Sequence, residues 1–533
     1  MTMSRRMFLE ELGAGAAGLG LASTLTGCAS LGPAAAAGAL PRSTPEAEGM
    51  ASAAVLAFLA AAAHNTLELH SLMILRHGRV VADGWWAPYG PEFVHGLYSL
   101  SKSFTSTAVG LAVAEGRLSV NDRVAKFFPD ALPATVSDNL AALRVKDLLS
   151  MSAGDEKEPT HDMVNQEDWV RYFLAAPITH PPGSVFMYNS AATYMCSAIV
   201  QKVTGQKVID YLQPRLFAPL GIEGARWETC PRGINTGGWG LSVRTEDLAR
   251  FGQLYLQKGA WRGRQILPAA WVEEATTFKI QQPLPAAPGR PNDRNDWVQG
   301  YCYQFWRCTH HAFRGDGAFG QFCVVMPDQD AVVVMTAESR DLQGQLDLVW
   351  EHLLPAMQPG PLPADAAGQK QVQQALFSLA LALPEGQPAS PAAARVSGKT
   401  FRLEPNGLGL QSVAFAFGNA AVTVAFRGAQ ADYAIPCGVG RWQRGATALP
   451  GTPPRLVSGG APKPGTPSKI ASAAAWKDEN TLDLLLRYYE TPHHDAVTCR
   501  FAGASVQIAF MNSMAAMGPN PQDKRGVLRG SAQ

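Results

Sequence analysis

The spacing of apolar and polar positions divides the chain before any chemistry is considered. Residues 50–63 are apolar with helical spacing and predict a helix. Two extended runs, 71–76 and 79–82, meet at His77-Gly78, a hairpin signal. An apolar helix is predicted over 104–114, stopped by Gly116. From there to about residue 290 the pattern is helical and rich in loops. Helices are expected over 208–214, after a Gly205 stop, and over 245–258, opened by Thr245 with Asp247 in the first turn. Strand patterns return at 300–306, 320–327 and 331–336, and a helix is expected over 342–353. Strands at both ends with helices between predict an α+β fold. Its antiparallel sheet is built from both ends of the domain and flanked by helices, with a helical region inserted. Strands and helices do not alternate, so a doubly wound sheet is not expected.

The pattern changes after residue 358. Residues 359–394 form a Pro/Ala-rich connector with one amphipathic helix, 371–382. Period-2 alternation then takes over: 413–417 and 422–426 flank Gly418-Asn419, and 482–489, 496–501 and 506–510 continue it. A small antiparallel β domain, barrel or sandwich, is expected. The organisation reads as an export signal at 1–27, a lipidated tether at 28–44, a main domain at 45–357, a linker with a helix at 358–395, a β domain at 396–515 and a tail at 516–533. Ser397-Gly398-Lys399-Thr400 looks like the end of a phosphate-binding loop, but Ala393 stands where its first glycine should be.

Composition narrows the class. With 45 Lys+Arg against 44 Asp+Glu, nothing points to nucleic acid. A chain that is 47% hydrophobic and 17% charged suits a globular enzyme, not a disordered chain. Ser4-Arg5-Arg6-Met7-Phe8-Leu9 resembles a twin-arginine export signal, with Glu10 where Lys is common. The apolar run that follows is too short to span a bilayer and ends in Leu25-Thr26-Gly27-Cys28, which resembles a lipobox. That resemblance implies lipidation at Cys28 and a membrane-anchored lipoprotein facing the periplasm or cell exterior. The seven other cysteines show no Cys-x-x-Cys repeat and the histidines no ligand spacing, so neither a disulfide framework, a metal site nor a cofactor is expected. His310-His311 and His493-His494 would point apart if they lie on strands.

The candidate chemistry centres on Ser99-Leu100-Ser101-Lys102. A Lys three residues after a Ser stands one turn further along the same helical face. A hydroxyl is a poor nucleophile until a neighbouring base takes its proton, and an adjacent amine can do so. A serine N-cap followed by a solvated lysine would give the same spacing.

The wider context resembles the serine β-lactamase and penicillin-recognising superfamily, whose members include class C β-lactamases, family VIII esterases, D-aminopeptidases and 6-aminohexanoate-dimer hydrolases. The stretches that carry it are ILRHGRVVADGWW, LYSLSKSFTSTAVGLAVAEGRLSVNDRVAKFFPD and VKDLLSMSAG, and the likeness covers residues 43–357. It implies that Ser99 is a nucleophile and Lys102 its base partner. In VFMYNSAATYM the resemblance makes Tyr188 a base or proton shuttle. Ser190 takes the place of the family's Asn, beside Asn189, to orient either Lys102 or substrate. The third motif is Gly315-Asp316-Gly317, which implies Ala318 N–H as the second oxyanion donor; a register two residues earlier gives that role to Gly315. Gly317 and Gly315 would form a glycine-lined wall, with Arg314 and Asp316 pointing the other way. Trp239, in NTGGWGLSVRTEDLARF, is a pocket wall or a packing residue.

The resemblance therefore implies a serine hydrolase acting through an acyl-enzyme on a small-molecule ester or amide, with weak or no β-lactamase activity. A non-catalytic binding lipoprotein of the same fold is one alternative; a true β-lactamase or D-amino acid peptidase is another. The β domain is expected to contribute no catalytic residue.

Overall fold

The computed structural model describes residues 38–65, 67–284, 290–457 and 465–533. The expected export signal and the expected lipidation site, Cys28, lie outside the described residues. From Leu40 onward the chain forms one compact unit.

Its first sheet has six antiparallel strands: β1 Leu69–Arg76, β2 Arg79–Trp85, β3 Trp306–Arg307, β4 Phe313–Gly317, β5 Gln321–Met326 and β6 Ala331–Ala337. They are ordered β2-β1-β6-β5-β4-β3, so the early hairpin lies directly against the late strands. Every residue of β1, β4, β5 and β6 is buried, because helices cover both faces. On one face lie α1 Ser52–His64, the one-turn extension of α5 Leu342–Leu348, and α6 Ala366–Phe377. On the other lie α2 Ser101–Ala114, α3 Ser190–Thr204 and α4 Thr245–Leu256, within a core that includes Phe104, Met195 and Phe251.

Several boundaries differ from the sequence expectation, each for a visible reason. The 300–306 run is a strand only at Trp306–Arg307, because Gly300 and Gln304 both take positive φ and turn the chain. The expected tether ends early: Leu40 is buried, its N–H donates to Glu246 at 2.7 Å, and Arg42 bridges to Val80. The helix of the expected linker is a structural layer, with Val372 buried and Leu376 and Leu379 packed over β2 at Gly84.

The second body is a ten-stranded barrel: β7 Thr400–Leu403, β8 Leu410–Phe417, β9 Ala421–Gly428, β10 Asp432–Val439, β11 Gln443–Thr447, β12 Ser468–Asp478, β13 Thr481–Arg487, β14 His494–Ala502, β15 Ser505–Asn512 and β16 Val527–Ala532. The order is β10-β9-β8-β7-β16-β15-β14-β13-β12-β11, and a parallel contact between β10 and β12 closes it. Its interior is a separate apolar core that includes Phe401, Phe415, Trp476 and Phe501. The expected tail carries β16, seated between β7 and β15. Leu528, Gly530 and Ala532 turn inward, and with a glycine and an alanine among the three the alternation is too weak to reveal the strand.

Among the described residues no helix is long and apolar enough to cross a membrane. The seven described cysteines are buried and unpaired.

Candidate active site

Residues Tyr98–Leu100 form a single 3-10 turn that runs directly into α2. Ser99 is partly exposed on that turn, whereas Lys102, one turn further along the same face, is 1% exposed. The ammonium site is ringed by oxygens: Nζ lies 3.0 Å from Ser99 Oγ, 2.9 Å from Ser190 Oγ and 2.7 Å from the Gly238 carbonyl. None of these three partners is charged. Burial therefore lowers the Lys102 pKa to about 7, although the more distant carboxylates of Glu158 and Asp316 pull the other way. A substantial share of this lysine is a neutral amine at neutral pH, with a lone pair to offer the hydroxyl.

Tyr188 comes from the segment before α3. Its phenol hydrogen-bonds with Ser99, and its ring lies 4.9 Å from Lys102 Nζ. Burial raises its pKa, so the phenol is protonated. The ring stacks on Trp306 at 5.6 Å and meets Tyr301 edge-on at 6.2 Å, so an aromatic wall fixes its position.

Ser190, expected to orient either Lys102 or substrate, contacts the lysine: Oγ accepts from Lys102 at 2.9 Å, while its backbone N–H donates to Glu158 at 2.9 Å. Asn189 does not join the cluster. It is the N-cap of α3, accepting from Ala192 N–H at 2.9 Å and donating to Asp155 at 2.7 Å, and it is buried. Burial pushes Asp155 up to about 6. Trp239 is 4% exposed and packs against Trp169 at 5.7 Å. It also borders a cavity of about 90 Å³ shared with Tyr98 and Leu456.

The third motif lies on β4, at its closest approach to the Ser99 turn. A Cβ on Gly317 would sit 2.1 Å from the Leu97 carbonyl, and one on Gly315 would crowd Ser103 and Leu100. At 317 only glycine permits that approach, and Ala318 follows it directly in the chain. The glycines face the Ser99 turn, and the Asp316 carboxylate acts electrostatically on Lys102 and Tyr188. Arg314 shares the Asp316 face but is fully buried. Its Nε donates to Asp316 at 2.8 Å, Nη1 to the Asp296 carbonyl at 2.8 Å, and the guanidinium lies 4.4 Å from the Trp297 ring.

Residues 57–354, more than half of the chain, match the family model described as Beta-lactamase. The chain belongs to the Beta-lactamase family. Among its relatives, a 6-aminohexanoate-dimer hydrolase of Paenarthrobacter ureafaciens is 26% identical over 285 residues, covering 50% of this chain and 71% of that enzyme. A β-lactamase of Escherichia coli is 21% identical over 321 residues, covering 50% of this chain and 81% of that one. A penicillin-binding protein homologue of Caulobacter crescentus superposes with a TM-score of 0.47 and 18% identity, over 57% of this chain and 97% of that one. The family includes serine hydrolases such as the first two of these, and the matched domain here has mixed helix-and-sheet content.

Sequence reasoning missed Gly238, Glu158, Trp306 and the role of Asp316. The Gly237-Gly238 pair was the one available signal; the others reach the site through long-range folding.

A second polar cluster was also unforeseen. Glu68 precedes β1, and Glu338 follows β6 at the same end of the sheet, while Arg487 ends β13 and His494 opens β14. His493 and His494 do not point apart. His493 lies before the strand, and both rings reach one carboxylate, at 2.6 Å and 2.7 Å from Glu338. Glu68, Glu338 and His494 have a ligand-like convergence, but the Arg487 guanidinium sits among them and supplies the positive charge.

Proposed function

We propose that the protein is a serine hydrolase that works through an acyl-enzyme on small esters or amides. The single observation behind this reading is the amine of Lys102, buried among neutral partners 3.0 Å from Ser99 Oγ. Ser99 Oγ attacks the carbonyl carbon. Its proton passes to Lys102, directly or by way of Tyr188, and is delivered to the leaving group as the tetrahedral intermediate collapses. Water, activated by the same base, then hydrolyses the ester on Ser99. The backbone N–H groups of Ser99 and Ala318 are the donors proposed for the developing oxyanion. Ser190 and the Gly238 carbonyl orient the lysine. Fluorophosphonate labelling with mass-spectrometric mapping tests this: an adduct on Ser99 is expected, and its absence from folded protein would favour a binding protein.

Substrate charge follows from the third motif. A mobile cation there would hold a carboxylate-bearing antibiotic, but Arg314 is buried and locked by Asp316 and the Asp296 carbonyl. Uncharged esters or small amides are favoured, and β-lactam hydrolysis is weak or absent. A specificity constant for a butyrate ester above that for nitrocefin is expected; the reverse order would overturn this preference.

The export signal and lipobox support placement as a lipoprotein anchored through Cys28, facing the periplasm or cell exterior. Cys28→Ser should move the protein from the membrane to the soluble fraction. Unchanged pelleting after a carbonate wash would contradict it.

A further inference from the structure

The barrel touches the segment that leads into Ser99 at three successive points. The Tyr89 hydroxyl donates to the Thr491 carbonyl at 3.0 Å, Gly96 N–H donates to the Glu490 carbonyl at 3.0 Å, and the Tyr98 hydroxyl meets His493 Nε2 at 2.5 Å. All three partners lie in the loop between β13 and β14. Tyr98 hydrogen-bonds also with the Leu456 backbone, from a second barrel loop.

Tyr98 is not an ordinary neighbour of Ser99. Its φ is +48°, a left-handed conformation that an aromatic residue adopts only when its surroundings hold it there. Phe319, next to Ala318, has a φ of +66°. The two strained residues flank the two proposed oxyanion donors and pack together, ring centroids 5.4 Å apart. His493 closes the group, edge-on to Tyr98 at 5.7 Å and to Phe319 at 4.8 Å. It is fully buried, and Nδ1–H donates to the Glu338 carboxylate at 2.6 Å, which leaves Nε2 to accept from the Tyr98 hydroxyl.

We infer that the barrel positions the nucleophile: His493, oriented by Glu338, grips Tyr98 and packs on Phe319, holding the Ser99 turn and Ala318 in register. This rests on the reading of Ser99 as nucleophile. His493 and Tyr98 are positioning residues, since neither touches the reacting atoms. The expectation that the β domain contributes no catalytic residue is unaffected, since His493 acts only through Tyr98 and Phe319.

Fluorophosphonate labelling rate and steady-state ester hydrolysis, measured on the full chain, test the inference. Tyr98→Phe keeps the ring and removes only the hydroxyl. It should slow Ser99 labelling and lower kcat about 10-fold or more, with KM within about twofold, because misplacement of a reacting group acts on the transition state. His493→Ala should do the same, and His493→Gln, which restores an acceptor near Nε2, should recover part of the loss. The double variant Tyr98→Phe with His493→Ala should be no slower than the slower single one, because both remove one contact. If His493→Ala fails to fold, Tyr98→Phe decides the matter. Wild-type labelling at Ser99 with equal rates in a folded Tyr98→Phe variant would overturn the positioning role alone. Absence of wild-type labelling at Ser99 would overturn the nucleophile, and the inference with it.

Discussion

Two buried polar clusters lie near each other in this molecule, and they treat charge in opposite ways. Around Lys102 the partners are two hydroxyls and a carbonyl. Burial there goes uncompensated at close range, and the lysine falls to about 7. Around Glu338 burial acts too, pushing the carboxyl up, but hydrogen bonds from His493 and His494 outweigh it and hold it below the usual carboxylate range. Glu68 follows the same logic: burial raises it, and His70 and Arg487 together bring it down to about 2. Burial alone therefore does not decide whether a group is poised or locked. The charge of its nearest partners does. The poised cluster suits proton transfer, and the locked one joins sheet to barrel.

The most severe way to break this comparison is on the poised side. Ser99→Ala should lower turnover by roughly three orders of magnitude or more while leaving thermal unfolding nearly unchanged. Lys102→Met should lose comparable activity yet gain stability near pH 7, since it removes a lysine whose charged form the fold disfavours. That gain should shrink as pH rises from about 7 toward the ordinary lysine value. In this window the unfolded chain binds a proton that the folded one does not, so wild-type stability climbs with pH. Urea unfolding of both proteins across the range measures it; a gap that widens with pH would contradict the neutral amine.

The locked side should break differently. Glu338→Ala strands His493, His494 and Arg487, and should cost about 3–5 kcal/mol in denaturant unfolding. The depressed pKa gives the sign of the pH effect: this carboxylate stabilises the fold above the ordinary glutamate value, about 4.3, and the contribution fades as pH falls below it. A stability loss in Glu338→Ala that persists unchanged at low pH would count against the charge account.

Smaller effects sharpen the contrast. The pH profile of kcat/KM should rise through a midpoint near 7 as Lys102 loses its proton. Glu158 raises the Lys102 pKa, so Glu158→Gln should move that midpoint to lower pH; a shift to higher pH would show that Lys102 is not the titrating base.

What the sequence determined by itself was local. Ser99 and Lys102 share a helical face through a three-residue spacing, and backbone geometry alone makes them neighbours. The mixed helix-and-sheet content and the alternation of the second body were likewise short-range patterns, and the Beta-lactamase family match covers the stretch in which those motifs stand. Closure of the barrel through β10 and β12, and the place of β16 in it, were not legible, because pairing between distant strands leaves no local trace in a strand whose inward residues are mostly small. Asn189 and Trp239 carried the right neighbours in sequence but turned to capping and packing, since side-chain direction depends on which elements press against each one. Tertiary structure alone decided the pKa of Lys102, which depends on Ser190 and Gly238 arriving uncharged from residues far along the chain. The same holds for the contact of His493 with Tyr98, across 395 positions of sequence. A spacing of three is fixed by the helix; a separation of that size is closed only where the barrel packs against the first sheet's domain.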